Sequence, residues 1–242
     1  MTTLYKKEIM AVNVDTVYQR VLSILNKEQR GYLTPQEFNL LANQAQLDIF
    51  EQYFYDLNQF MRIPGNDTTY ADQVDIIQEK IDVFEKFRQD VSMTSGGVGA
   101  LPTHYRMGEL SYNNSGTYVE VEKVSQNDLN HHINSPLLEP RVARPVYVQT
   151  SATAIQVYPT TITSGVTCNL ISAPASIYWA YTNVNNNPLY NANNSTNFEL
   201  HPSEEKNLVI KILALAGVLV KDTNVYQVAA TEENKDVQQE KS

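Results

Sequence analysis

The sequence predicts an α+β fold, and three observations carry that prediction. Residues 1–93 place apolar side chains at helical spacing. Residues 101–182 change character, with short Val-, Tyr- and Thr-rich runs separated by turns. The run "LVIKILALAGVLV" (208–220) is apolar nearly all round, as a helix buried on every side must be. The predicted architecture is an N-terminal helical bundle, a central antiparallel β unit, and a C-terminal buried helix with a mobile tail. The boundaries are a helical region 1–93, a Gly-rich hinge or loop 94–100, a β-rich region 101–182, an Asn-rich loop 183–199, a C-terminal helical segment 200–228 and a disordered tail 229–242.

The first helix is capped by Asn13 or Asp15 and runs to about Lys27, with Val17, Val21, Ile24 and Leu25 on one face. The next stretch, "NKEQRGYLTPQEF" (26–38), matches a calcium loop at two places: Gly31 falls on position 6 and Glu37 on position 12. Asn26, Glu28 and Arg30 then fall on positions 1, 3 and 5. A guanidinium at position 5 repels the metal and removes a donor oxygen. Thr34-Pro35-Gln36-Glu37 fits a capping box instead, with Thr as N-cap, Pro at the first helical position and Glu reaching back. Gly31 ends the preceding helix, so the stretch reads as a tight helix–turn–helix.

The second helix is the longest, from Pro35 to about Met61. One apolar stripe holds Phe38, Leu41, Ala45, Ile49, Tyr53, Leu57 and Phe60; a second holds Leu40, Leu47, Phe50, Phe54 and Met61. Two stripes predict a helix covered on two sides, by its own chain or by another copy. "RIPGND" (62–67) ends it. A third helix is predicted from Asp72 to about Phe87, with Val74, Ile77, Ile81 and Phe84 inward.

"TSGGVGA" (94–100) lacks the Gly-Lys pair of a phosphate loop and reads as a hinge or mobile loop. Strands are predicted at 117–124, 144–150, 154–159 and 166–172, with a hairpin corner at 149–155. Residues 183–197 contain eight Asn and read as a long surface loop. "HPSEEKN" (201–207) opens the last helix, with Pro202 near its first position and Glu204 and Glu205 in its first turn.

Composition narrows the function classes. Apolar content of 42% with 19% charge fits a globular chain, and the net charge of −9 disfavours non-specific nucleic-acid binding. Fifteen Tyr against one Trp suits subunit interfaces, because Tyr buries a ring while keeping its hydroxyl wet. Cys168 is the sole cysteine, so no internal disulfide forms, and a buried small hydrophobe is the expected role. No secretory h-region opens the sequence, and 208–220 is too short to span a bilayer. His104, His131, His132 and His201 have no ligand spacing for zinc, no Gly-x-Ser-x-Gly elbow frames a serine, and Glu120 and Glu122 read as the wet face of a strand. The expectation is a non-enzyme with no cofactor and no metal. Self-association is predicted through the doubly striped helix and the apolar C-terminal helix, with Phe50, Phe54, Leu57, Leu208, Ile212, Leu213, Leu215 and Val218 as subunit-interface candidates.

The runs "SPLLEPRVARPVYVQ" (135–149), "VYPTTI" (157–162), "APASIYWAY" (173–181) and "LHPSEEKNLVIKILALAGV" (200–218) resemble the ring, or head-to-tail connector, proteins of short-tailed bacteriophages, especially crAss-like phages of gut bacteria. The resemblance covers most of the chain, and none of its letters is a catalytic signature. It implies a structural virion protein, made in the host bacterial cytoplasm. Such proteins form rings, commonly dodecameric, between the portal and the tail. Implied partners are copies of itself, the portal protein, neighbouring ring or tail proteins, and genomic DNA passing through the lumen without specific binding; no membrane is implied. An acidic surface keeps such a lumen from gripping phosphates. The alternative is a ligand- or carbohydrate-binding β module of a tail or accessory protein, for which Tyr178, Trp179 and Tyr181 would form an exposed aromatic platform.

Overall fold

A computed structural model describes residues 11–27, 33–62, 68–185, 187–219 and 231. The predicted helix stop at Gly31, most of the 62–67 break, and the 229–242 tail apart from Thr231 lie outside the described residues. The chain opens with three helices, α1 (Val14–Lys27), α2 (Pro35–Arg62) and α3 (Thr68–Asp82). Five strands follow: β1 (Glu85–Asp90), β2 (Ser92–Met93), β3 (Val98–Ala100), β4 (Arg106–Asn114) and β5 (Thr117–Lys123). Then come α4 (Leu129–Asn134), β6 (Val146–Gln149), β7 (Ala154–Tyr158), β8 (Val166–Ile171), β9 (Tyr181–Val184), β10 (Asn187–Tyr190) and α5 (Glu205–Leu219). The fold is α+β. It divides into a helical unit, made of 1–83 and 174–242, and a β unit, 84–173, inserted between those two segments.

In the helical unit, α1 begins where Asn13 Oδ1 accepts the N–H groups of Asp15 and Thr16, at 2.8 and 3.1 Å. Asn13, not Asp15, is therefore the cap. Val14, Val17, Tyr18, Val21 and Leu25 bury one face of α1. The capping box at the start of α2 forms as its sequence requires. Glu37 Oε2 accepts from the Thr34 N–H at 2.9 Å and from its hydroxyl at 2.7 Å, while Thr34 Oγ1 accepts from the Glu37 N–H at 3.3 Å. Those bonds hold down Glu37's carboxyl pKa and occupy the oxygen that a calcium loop would have aimed at a metal.

The third helix ends at Asp82, five residues before the predicted stop. Phe84 is buried beyond the helix end, and 85–90 turns into a strand, which corrects the predicted helical region 1–93. No residue of α5 from 207 to 217 is exposed, as its apolar composition predicts. Its cover comes from α1 and α2 of the same chain. Glu204, just before α5, is buried and paired with Lys80 of α3 at 2.7 Å, and it accepts from the Asn207 amide at 2.9 Å. It serves as an ion-pair partner, not only as a first-turn carboxylate.

In the β unit eight strands form one sheet in the order β1-β8-β4-β5-β6-β7-β3-β2. All neighbours are antiparallel except β5 and β6, which pair in parallel, a departure from the predicted all-antiparallel unit. Strands 117–124, 144–150, 154–159 and 166–172 appear as β5, β6, β7 and β8, and the hairpin corner closes through Thr150 N–H to the Ala154 carbonyl at 3.0 Å. The core holds Leu110, Val121, Tyr147, Ile155, Val157, Val166, Cys168 and Leu170.

The predicted hinge 94–100 is instead the turn and second strand of the β2–β3 hairpin. The Thr94 N–H donates to the Val98 carbonyl at 2.7 Å. Gly97 sits at φ 79°, and a Cβ there would lie 2.5 Å from the Val157 carbonyl oxygen, so the position demands glycine. Asn169 of β8 faces a bulge on each neighbour. Phe87 and Arg88 oppose it on β1, Gly108 and Glu109 on β4.

Candidate interaction surfaces

The subunit-interface candidates are mostly core. Phe50, Phe54, Leu208, Ile212 and Leu213 are buried in the helical unit by their own chain, while Leu57 and Leu215 are half-buried. The side chain of Val218 lies outside the described residues. Hydrophobic periodicity marked five of the eight as buried but did not say what does the burying. A charge placed at Leu213 would disturb the fold of the single chain and so would not isolate a subunit contact.

The apolar side chains that α2 leaves in solvent are different ones. Leu40 is 74%, Leu47 40% and Tyr55 65% exposed. Spacings of seven and eight put them on one face, together with exposed Gln44 and Glu51. Two of the three carry the predicted second stripe, but its Phe50 and Phe54 turn inward. Ile24 on α1 and Ile76 on α3 are also exposed.

Another row on α2 holds the chain that returns from the β unit. Asn39 takes the N–H and the carbonyl of Trp179, at 2.8 and 3.3 Å. Asn43 does the same to Ile177, at 3.0 Å each. Gln46 donates to the Ala175 carbonyl at 2.9 Å and accepts from the Glu199 N–H at 3.2 Å. Residues 175–181 thus lie antiparallel along the helix as a strap whose main chain is satisfied by side-chain amides.

Trp179 is the anchor of this strap. Its ring packs on Tyr18 at 4.5 Å between centroids and stacks with Tyr181 and Tyr190 at 5.9 and 5.7 Å. Its Nε1–H donates to Asp15 Oδ1 at 2.9 Å. With Trp179 only 2% exposed, the aromatic platform of Tyr178, Trp179 and Tyr181 is not a surface for sugar. Tyr178 alone is open to solvent.

The predicted Asn-rich loop 183–199 is largely structured. β9 and β10 form a two-stranded ribbon in which Tyr181 faces Tyr190 and Thr182 faces Leu189. A 3-10 turn at Ala192–Asn194 follows, and the Ser195 hydroxyl donates to the Asn191 carbonyl and accepts from the Ala180 N–H. Asn supplies turn geometry here, at Asn185 (φ 50°) and as the Asn191 cap.

In the β unit, Arg88 lies over the Tyr118 ring at 3.7 Å and its N–H donates to Asn169 Oδ1 at 3.0 Å. An open polar groove is lined by Lys123, Val124, Gln126, Asn127, Gln149 and Ser151. Lys123 and Gln126 both bond Gln149 across it. Among the described residues no three His, Cys, Asp or Glu side chains are grouped to hold a metal ion, and no helix is long and apolar enough to cross a membrane.

No protein-family model matches the chain, and no curated protein matches it.

Proposed function

We propose that this chain is a structural virion protein of a tailed bacteriophage, one subunit of a ring in the portal-to-tail connector through which DNA passes. The sequence resemblance names the class. The observation that carries the self-association is the row Leu40, Leu47 and Tyr55, left in solvent on the longest helix. Such a row is suited to meet a neighbouring subunit. The acidic surplus falls almost entirely on the helical unit, since Lys86, Arg88, Arg106, Lys123, Arg141 and Arg144 nearly balance the carboxylates of 84–173. A ring lumen lined by that unit would repel DNA phosphates and let the genome slide. The role is architectural, with no turnover.

The test is the mass of the full chain, by mass photometry, alone and mixed with a phage portal ring, followed by negative-stain imaging. Rings, or multi-copy recruitment to the portal, support the reading. A monomer that ignores the portal at every concentration overturns it.

A further inference from the structure

We infer that the β9–β10 ribbon is an assembly arm that docks on a second copy of this chain. This rests on the ring reading above and names the element that makes the contact.

The arm is held stiffly at its base. Tyr181 and Tyr190, paired across the ribbon, both stack on buried Trp179, and the Asn191 N–H donates to the Ala180 carbonyl at 2.9 Å. Beyond that base, Thr182, Asn183, Val184, Asn185, Asn187 and Leu189 are exposed. Thr182, Val184, Asn187 and Leu189 share the other face by the alternation of the strands. Val184 is 45% and Leu189 54% exposed. β9 and β10 pair only with each other among the described strands, so each leaves one edge of main-chain groups open. A two-stranded ribbon is marginal in water by itself. One that keeps a rigid base, exposed Val184 and Leu189 on one face and open edges is suited to be covered.

Charge argues for what covers it. No charged side chain occurs between Arg144 and Glu199, in a chain of net charge −9. Exposed edges are ordinarily guarded by charges, above all Lys; here Pro188 on β10 is the sole guard and β9 has none. A basic partner would be met by carboxylates, and an acidic one by Lys or Arg. Two copies of one acidic chain repel wherever their charged faces meet, so an uncharged arm is where they approach at least cost. Ring closure needs a second, different patch to receive it, and the exposed row on α2 supplies one of matching apolar chemistry.

The experiment compares the full wild-type chain with Val184→Lys/Leu189→Lys by sedimentation velocity over a concentration series, alone and with a portal ring. Circular-dichroism melts control for folding, and the milder Leu189→Thr decides the matter if the double variant melts early. Assembly by wild type with loss of the assembled species in a normally folded variant is the expected result. Equal assembly by both overturns the arm and leaves the ring reading standing. Failure of wild type to assemble under either condition overturns both.

Discussion

The carboxamide of Asn43 grips both main-chain polar groups of Ile177, at 3.0 Å each, from a helix 134 residues away in sequence. Asn39 repeats the grip on Trp179. The two periods match: four residues of helix rise about 6 Å, and two residues of extended chain about 6.6 Å. Successive helix turns can therefore address alternate strap residues. Because only main chain is read, the strap's side chains are free to pack, as Trp179 does.

Asn43→Leu keeps the bulk and removes both bonds, stranding an N–H and a carbonyl. Each stranded buried group costs about 1–3 kcal/mol. The expected outcome is a lower urea midpoint with an unchanged denaturant slope. Asn43→Asp should be worse, because it sets a carboxylate oxygen against the Ile177 carbonyl. A wild-type midpoint for both variants would show that the strap is held by packing alone.

Glu37 gives a pH signature. Hydrogen bonds from the Thr34 hydroxyl and N–H favour the carboxylate and lower its pKa below the ordinary 4.5. A depressed native pKa stabilises the fold above the unfolded-state value, and that contribution is lost as pH falls through the native value. Thermal melts taken from neutral pH down through the acid range should fall less steeply for Glu37→Gln than for wild type below about pH 4.5. Parallel curves would mean that the capping box contributes nothing to acid stability.

Lys80 and Glu204 form an ion pair at 2.7 Å with side chains 18% and 4% exposed, and the Lys80 ammonium also lies 5.6 Å from the Tyr53 ring centroid. Removing one partner leaves a charge without its counterion. Lys80→Met should destabilise by about 3–5 kcal/mol, the range for breaking a buried pair. Lys80→Met/Glu204→Leu should recover much of that loss, because no unpaired charge remains. A double variant as unstable as the single would place the loss in the Tyr53 packing rather than in the charge.

The helices were legible because their apolar residues recur at 3.6: Val17, Val21, Phe38, Ala45 and Ile49 all face the core. β1, "EKFRQD", was not, because an edge strand needs no apolar alternation and almost all of it is exposed. β4 hid because the Gly108–Glu109 bulge breaks its period of two. The candidate site was legible only in kind. Phe50 and Leu208 read as buried, yet no periodicity tells a private core from a subunit contact. The strap left one faint signal. Asn is a poor helix former in mid-helix, and Asn39, Asn43 and Gln46 recur at helical spacing beside buried Ala42 and Ala45. The stretch from Pro145 to Phe198 carries no charged residue, a signal that runs across both the predicted β-rich region and the predicted Asn-rich loop.

Cys168 reports on the β unit without reference to function. It packs in the apolar cluster of β4, β5, β7 and β8. Burial pushes its thiol pKa up, and the Asp90 carboxylate adds to the shift. The thiolate is the species that reacts, so the native thiol is doubly protected, by access and by protonation. Labelling with a neutral disulfide reagent at mildly alkaline pH should be slow. Its rate should rise with urea in parallel with unfolding, and Asp90→Asn should leave the native rate nearly unchanged, since opening rather than deprotonation limits it. Rapid stoichiometric labelling of the folded chain would mean that β8 separates from a neighbouring strand without global unfolding. The bulges on both sides of Asn169, one residue from Cys168, are where that separation would start.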